Sequence, residues 1–193
     1  MKNRKIIAIA SSTGGPKALQ NIIPKLPEKL GAPVIIVQHM PEGFTKGLAE
    51  RLNNTSKLYV KEASDGEVLK CNCVYIAKGG IHFKVLYDGV SHRVCFSDED
   101  IREGVKPCAN YMFESLTESK YDEVICVVLT GMGADGSQGI SRLSEFKKVS
   151  VIIQDQESSI VYGMPGSIVK NGIEHKVVSL DDIASEITKM LEG

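Results

Sequence analysis

The stretch "KIIAIASSTGGPKAL", residues 5–19, runs from continuously apolar Ile6–Ala10 into two serines, a threonine, two glycines and a proline. A segment apolar at every position, rather than at every second one, suits a strand covered on both faces, and such strands belong to parallel sheets. Pro16 fits the first turn of a helix, where the N–H it lacks would be unpaired anyway. The segment therefore reads as strand, tight turn, helix. Its turn could present a nucleophilic hydroxyl or cradle an anion on converging backbone N–H groups.

The same rhythm continues along the chain. "PVIIVQ", "LYVKEA", "CVYIA", "EVICVVL", "SVIIQ" and "HKVVS" are further strand-like runs. Between them lie apolar residues at helical spacing: Phe44, Leu48 and Leu52; Ala109, Met112, Phe113 and Leu116; Ile140 and Leu143; Ile183, Ile187 and Leu191. Ser179 with Asp182 three residues on marks the start of the last helix. One stretch, "IHFKVLYDGVSHRVCFS", alternates instead and carries Asp88-Gly89 at its middle, the pattern of a β-hairpin. The expectation is an α/β fold: a doubly wound, mostly parallel sheet with helices on both faces and an added antiparallel hairpin, forming a single domain over residues 1–193.

Charge narrows the function classes. Lys plus Arg number 23 against 24 Asp plus Glu, so the bulk positive charge of a nucleic-acid or membrane-surface binder is missing. No apolar stretch reaches spanning length, and "MKNRK" leads straight into a strand rather than a signal-peptide core, which points to the cytoplasm, with no membrane insertion and no nucleic acid. The five cysteines, Cys71, Cys73, Cys95, Cys108 and Cys126, read as free buried thiols. Cys71, Cys73 and His82 could be drawn around zinc, but the CxxC spacing is absent, so no metal is expected.

In doubly wound sheets ligands sit beyond the carboxyl ends of the strands. Three loops there carry a hydroxyl, an imidazole and a carboxylate: Ser11, Ser12 and Thr13 after the first strand, His39 after the second, Asp135 in "TGMGADG" after "EVICVVL". A serine needs a histidine to take its proton, and the histidine needs a carboxylate to fix its tautomer. Taken singly, each has a plainer reading: Ser and Thr as helix caps, His39 as a structural histidine, Asp135 as a turn residue. The GxxxxGK[ST], GxGxxG and GxSxG patterns are all missing, and the residues alone leave both Ser11 and Ser12, and both chemistry and simple anion binding, open.

"ASSTGGP", "VIIVQHMPEGFTKGLAERL", "VYIAKGGIHF", "VVLTGMGADG" and "QDQESSIVYGMP" occur in an order and spacing that resembles the catalytic domain of the CheB-type chemotaxis protein-glutamate methylesterases. The resemblance spans almost the whole chain. It implies a serine hydrolase that removes γ-methyl esters from glutamates of chemoreceptors and in many members deamidates glutamines, with no cofactor. It implies Ser12 as nucleophile, His39 as base, Asp135 as its orienter, and Thr13 and Met132 near the oxyanion. Its partner would be the helical cytoplasmic region of methyl-accepting chemoreceptors, touched by rim positions around Phe44, His82, Lys106 and Asn110.

Two departures bear on this. Related chains usually begin with a receiver domain, whereas this sequence reaches its first strand within a few residues, so a receiver domain would act in trans or lie outside these residues. "VKPCANYMF" puts Lys106 and Asn110 where an arginine and an acid usually stand, and Lys78 replaces a frequent proline. Two other classes compete: a general small-molecule carboxylesterase or amidase with the same triad, and a non-catalytic anion- or nucleotide-binding module.

Overall fold

A computed structural model describes residues 4–193. The apolar runs become strands β1 (Lys5–Ser11), β2 (Val34–Gln38), β3 (Tyr59–Glu62), β4 (Cys73–Ile76), β7 (Glu123–Val128), β8 (Lys148–Gln154) and β9 (Lys176–Val178). They form one seven-stranded sheet in the order β3-β4-β2-β1-β7-β8-β9, with every pairing parallel. The hairpin strands β5 (His82–Tyr87) and β6 (His92–Ser97) form a separate antiparallel sheet of two strands. Asp88 closes their turn by accepting the N–H groups of Val90 and Ser91.

Burial explains the runs. All seven residues of β1 are buried, and they alternate between two apolar layers. Ile6, Ala8 and Ala10 face a layer with Phe83, Phe113, Leu143 and Ile168, while Ile7 and Ile9 face one with Leu19, Leu48, Leu52 and Ile187. The second layer is covered by α1 (Gly15–Ile22), α2 (Thr45–Thr55) and α6 (Ile183–Glu192). The first is covered by α3 (Ala109–Ser115), α4 (Ser137–Ser144), α5 (Gly163–Lys170) and the hairpin. This is the doubly wound α/β fold, with helices on both faces and an antiparallel addition.

Three local details differ from the sequence reading. The cysteines are free, but only Cys73, Cys108 and Cys126 are buried, because Cys71 lies in the turn before β4 and is exposed and Cys95 on the hairpin is half-buried. Helix α5, "GMPGSIVK", gives no helical signal because two glycines and a proline occupy its first turns; burial of Met164 and Ile168 in the first layer outweighs that poor propensity. The last helix starts later than Ser179 suggests. Asp182 N–H bonds Ser179 O in a short 3₁₀ turn, and the Ser179 hydroxyl donates to the Asp182 carboxylate instead of capping a backbone N–H.

Candidate active site

β1 lies between β2 and β7, and the order β2-β1-β7 is where successive connections leave in opposite directions. Such a switch point opens a crevice at the carboxyl edge, and the loops after these three strands all empty into it. The loop after β1 separates the two serines. Ser11 ends the strand fully buried, its hydroxyl donating to Gln38 Oε1 at 2.6 Å. Ser12, one residue beyond, is only partly buried. Its backbone is held from three directions: its N–H donates to Thr130 O (3.0 Å), and its carbonyl accepts from Gly15 N (2.8 Å) and Gln38 Nε2 (2.9 Å). The turn works because Gly14 has φ +83°, a left-handed conformation, and because a Cβ on Gly15 would lie 1.9 Å from Gln38 Oε1.

His39 follows β2 directly, with its N–H still bonded to Ser11 O in the ladder's continuation. Its Nε2 lies 2.7 Å from Asp135 Oδ2. An ionised carboxylate only accepts, so Nε2 carries a proton, and in the neutral ring Nδ1 is the nitrogen left with the lone pair. Asp135 is 2 % exposed and takes three more donors: Ala109 N on Oδ2 (2.6 Å), and Asn110 N (2.9 Å) and the Cys108 thiol (3.0 Å) on Oδ1. Burial alone would raise its pKa, but the bonds from His39, Cys108 and Ala109 outweigh that and hold it below the ordinary carboxylate value. Burial and the neighbouring carboxylate push the Cys108 thiol far up, so it stays protonated and remains a donor.

Asn110 completes the arrangement in the opposite sense. Its Oδ1 accepts Gly136 N (3.0 Å), from the residue just before α4, and Gly139 N (2.7 Å), in the first turn of α4. Thus Asp135, just before α4, caps α3, and Asn110, in the first turn of α3, caps α4. Among the described residues the buried Asn110 Nδ2 has no partner. An acid at that position would accept the same N–H groups without an orphan donor, but it would place a second carboxylate beside Asp135.

The third loop presses against Ser12. A Cβ on Gly131 would lie 2.8 Å from Ser12 Cβ and 2.3 Å from Met164 Sδ, so only glycine lets the backbone pass there. Thr130 pins the loop, its hydroxyl donating to Thr13 O (2.9 Å) and accepting the N–H groups of Ile160 and Val161 (3.0 Å each). Among the described residues, neither Thr13 N nor Met132 N donates to a protein acceptor, and the Met132 side chain is 72 % exposed.

The rim expectations divide. Phe44 is exposed, and Lys106 lines a shallow cavity of about 230 Å³ with His39, Met40, Pro41 and Val105. Lys106 is not free: its Nζ is bound to Asp98 (2.6 Å) and Glu99 O (3.0 Å). His82 and Asn110 are corrections, because both are fully buried and cannot form a rim. His82 is a strut between loops: Nδ1 accepts Cys108 N (3.1 Å) and Nε2 donates to Asp100 O (3.1 Å). Burial lowers its pKa, in keeping with this neutral role. Gln38, Cys108 and Thr130 belong to the site although the sequence reading did not single them out. A polar Gln38 ending an apolar strand beside His39 is the one signal that could have flagged any of them. Among the described residues no cluster of three or more His, Cys, Asp or Glu could hold a metal, and no helix is long and apolar enough to cross a membrane.

The family model described as CheB methylesterase matches residues 7–187. The chain belongs to the CheB methylesterase family. Similar proteins include a "protein-glutamate methylesterase/protein-glutamine glutaminase" of Bacillus subtilis (strain 168), 45% identical over 98% of this chain and 53% of its own length. The "protein-glutamate methylesterase/protein-glutamine glutaminase 2" of Pseudomonas fluorescens (strain Pf0-1) is 44% identical over 97% of this chain and 49% of its own. The chain thus spans about half the length of the curated relatives it matches. The crystal structure of the Thermotoga maritima CheB methylesterase catalytic domain is similar throughout, with TM-score 0.92, 39% identity, and coverage of 97% of this chain and 99% of that one. The family's catalytic-domain fold is therefore the fold seen here.

Proposed function

We propose that this chain is a single catalytic domain acting in the cytoplasm as a protein-glutamate methylesterase, hydrolysing glutamate γ-methyl esters on the helical cytoplasmic region of chemoreceptors. The observation that carries the reading is that Ser12 and the His39–Asp135 pair follow neighbouring strands at one sheet edge, the carbonyls of Ser12 and His39 sharing Gln38 Nε2, with the Gly131 backbone pressed against Ser12. The relatives' names add a second substrate, protein glutamine, which the same acyl chemistry would accept. A receiver domain, within a longer chain or as a separate partner, would supply regulation.

In the proposed sequence Ser12 Oγ attacks the ester carbonyl while His39 Nδ1 takes its proton. Asp135 holds the imidazole in the required tautomer and stabilises the imidazolium. The oxyanion accepts from the unengaged N–H groups of Met132 and Thr13. Collapse expels methoxide, which His39 protonates to methanol, and leaves an acyl-Ser12. Water, deprotonated by His39, then attacks the acyl group, and the glutamate carboxylate departs as Ser12 regains its proton. For glutamine the first leaving group is ammonia.

Methanol is too small to offer binding energy, so recognition must come from the polypeptide around the side chain. The test is methanol release from methylated receptor fragments. Ser12→Ala should abolish it and prevent labelling by a fluorophosphonate, while Ser11→Ala keeps turnover within a few-fold of the unsubstituted chain. Efficient hydrolysis of free glutamyl methyl ester would favour a general esterase instead, and an unreactive Ser12 would favour a binding module.

A further inference from the structure

Gln38 occupies an unusual place. It ends β2 at 1 % exposure, paired in register with Ser11 across the β1–β2 ladder, one residue before His39. Its amide reaches the loop after β1. Oε1 accepts the Ser11 hydroxyl at 2.6 Å, and Nε2 donates to two backbone carbonyls, Ser12 O at 2.9 Å and His39 O at 3.2 Å. Two carbonyls can only be met by the NH₂ end, so chemistry fixes the orientation of the amide. The absence of a side chain at Gly15 makes the room, since a Cβ there would overlap Oε1.

We infer that Gln38 is a positioning residue that sets the separation of nucleophile and base by tying the carbonyls of Ser12 and His39 to one nitrogen. This rests on the proposed roles of Ser12 and His39. The sheet brings the ends of β1 and β2 together, but both catalytic side chains lie past the last strand residue, where ladder bonding thins to His39 N on Ser11 O. Beyond that point the Gln38 amide is the bridge between the two loops. It is buried, so no water competes for it, and the Ser11 hydroxyl fixes its far end. Ser11 thereby acquires a role distinct from nucleophile, holding the bridge rather than reacting. Placement of the reacting atoms is steep in its effect: a shift of about 1 Å can cost about 10²-fold in rate.

The experiment compares Gln38→Met, of similar length without donors, and Gln38→Glu, which keeps the acceptor and loses both donors, in the full chain. Three quantities are measured at a temperature where melting curves show folded protein: the rate constant for fluorophosphonate labelling of Ser12, and kcat and KM for methanol release from methylated receptor fragment. Labelling and kcat should fall together by roughly 10- to 100-fold, with KM changing little. Ser11→Ala, which keeps the Gln38 donors but frees its other end, should lose only a few-fold in both. That variant keeps the idea testable if the Gln38 variants fold poorly: identical labelling rates for Ser11→Ala and the unsubstituted chain would then overturn it. So would wild-type rates in a folded Gln38→Met or Gln38→Glu protein, because a residue needed only for packing would lower the melting temperature and leave the rate per folded molecule intact. An unsubstituted chain that neither labels nor releases methanol would refute the proposed function itself, a result separable from active chain with indifferent Gln38 variants.

Discussion

Replacing Asp135 by Asn changes one atom's capacity and nothing in volume. The carboxylate accepts four donors, from His39 Nε2 and Ala109 N on one oxygen and from Asn110 N and Cys108 Sγ on the other. An amide has one acceptor oxygen, so its NH₂ must face one of these pairs. If it faces His39, the imidazole must accept at Nε2 and carry its proton on Nδ1, which removes the base. If it faces the other pair, His39 is served but the Asn110 N–H meets a donor. Either way a buried backbone N–H is unsatisfied, a cost of about 1–3 kcal/mol. Loss of the correctly held base should lower kcat by roughly 10² to 10⁴-fold. With urea slopes of about 1–3 kcal/mol per molar, the unfolding midpoint should drop by the order of 1 M. The pH dependence has a definite sign. Asp135 is held below its ordinary value of 3.8, so its contribution is present above that value and is lost as pH falls through the lower folded-state pKa. The unsubstituted and Asn proteins should therefore converge in stability at acid pH. Methanol release and urea melts between pH 2 and 7 are the assays. A variant keeping more than about a tenth of kcat with an unchanged midpoint would refute the reasoning.

Gly131→Ala places a methyl within 2.3 Å of Met164 Sδ and 2.8 Å of Ser12 Cβ, so it should cost about 10²-fold in labelling rate through displacement of the serine, and wild-type labelling would contradict that close approach. His92 stacks on Tyr121 and accepts Lys120 N at Nε2; burial, then Arg4 and Lys147, lower its pKa to about 4. The unfolded chain protonates first, so stability should be complete above about pH 6.5 and decline toward pH 4, His82 adding in the same direction. His92→Gln should flatten that decline, and a flat urea-midpoint profile in the unsubstituted protein would exclude it.

The sheet was legible because a strand buried on both faces must be apolar at every position, and Ile6–Ala10, Val34–Val37 and Val124–Val128 are. The hairpin was legible from its alternation and Asp88-Gly89. Helix α5 was not, since its formation depends on a buried face that local propensity opposes. The three loops could be placed at one edge from topology alone. The supports of Asp135 could not, because Cys108, Ala109 and Asn110 reach it across 25 to 27 positions of sequence, and periodicity locates α3 without showing that its N-terminus packs against the loop after β7. His82 misled for the same reason: its position suggests a rim, and only the packing of the hairpin on α3 makes it an internal strut. The Ser11/Ser12 ambiguity has the simplest origin, one residue deciding between the last buried place on a strand and the first place beyond it.

With Asp135 in its proposed role, the reciprocal capping of α3 and α4 ties activity to local order. Amides 109 and 110 close on Asp135 while amides 136 and 139 close on Asn110, so neither helix start can fray without releasing the other. The opening that exposes these four amides to exchange with solvent is the same opening that takes the carboxylate away from His39. At this corner a molecule cannot be locally frayed yet fully competent, and the open fraction is also the fraction without an orienting acid.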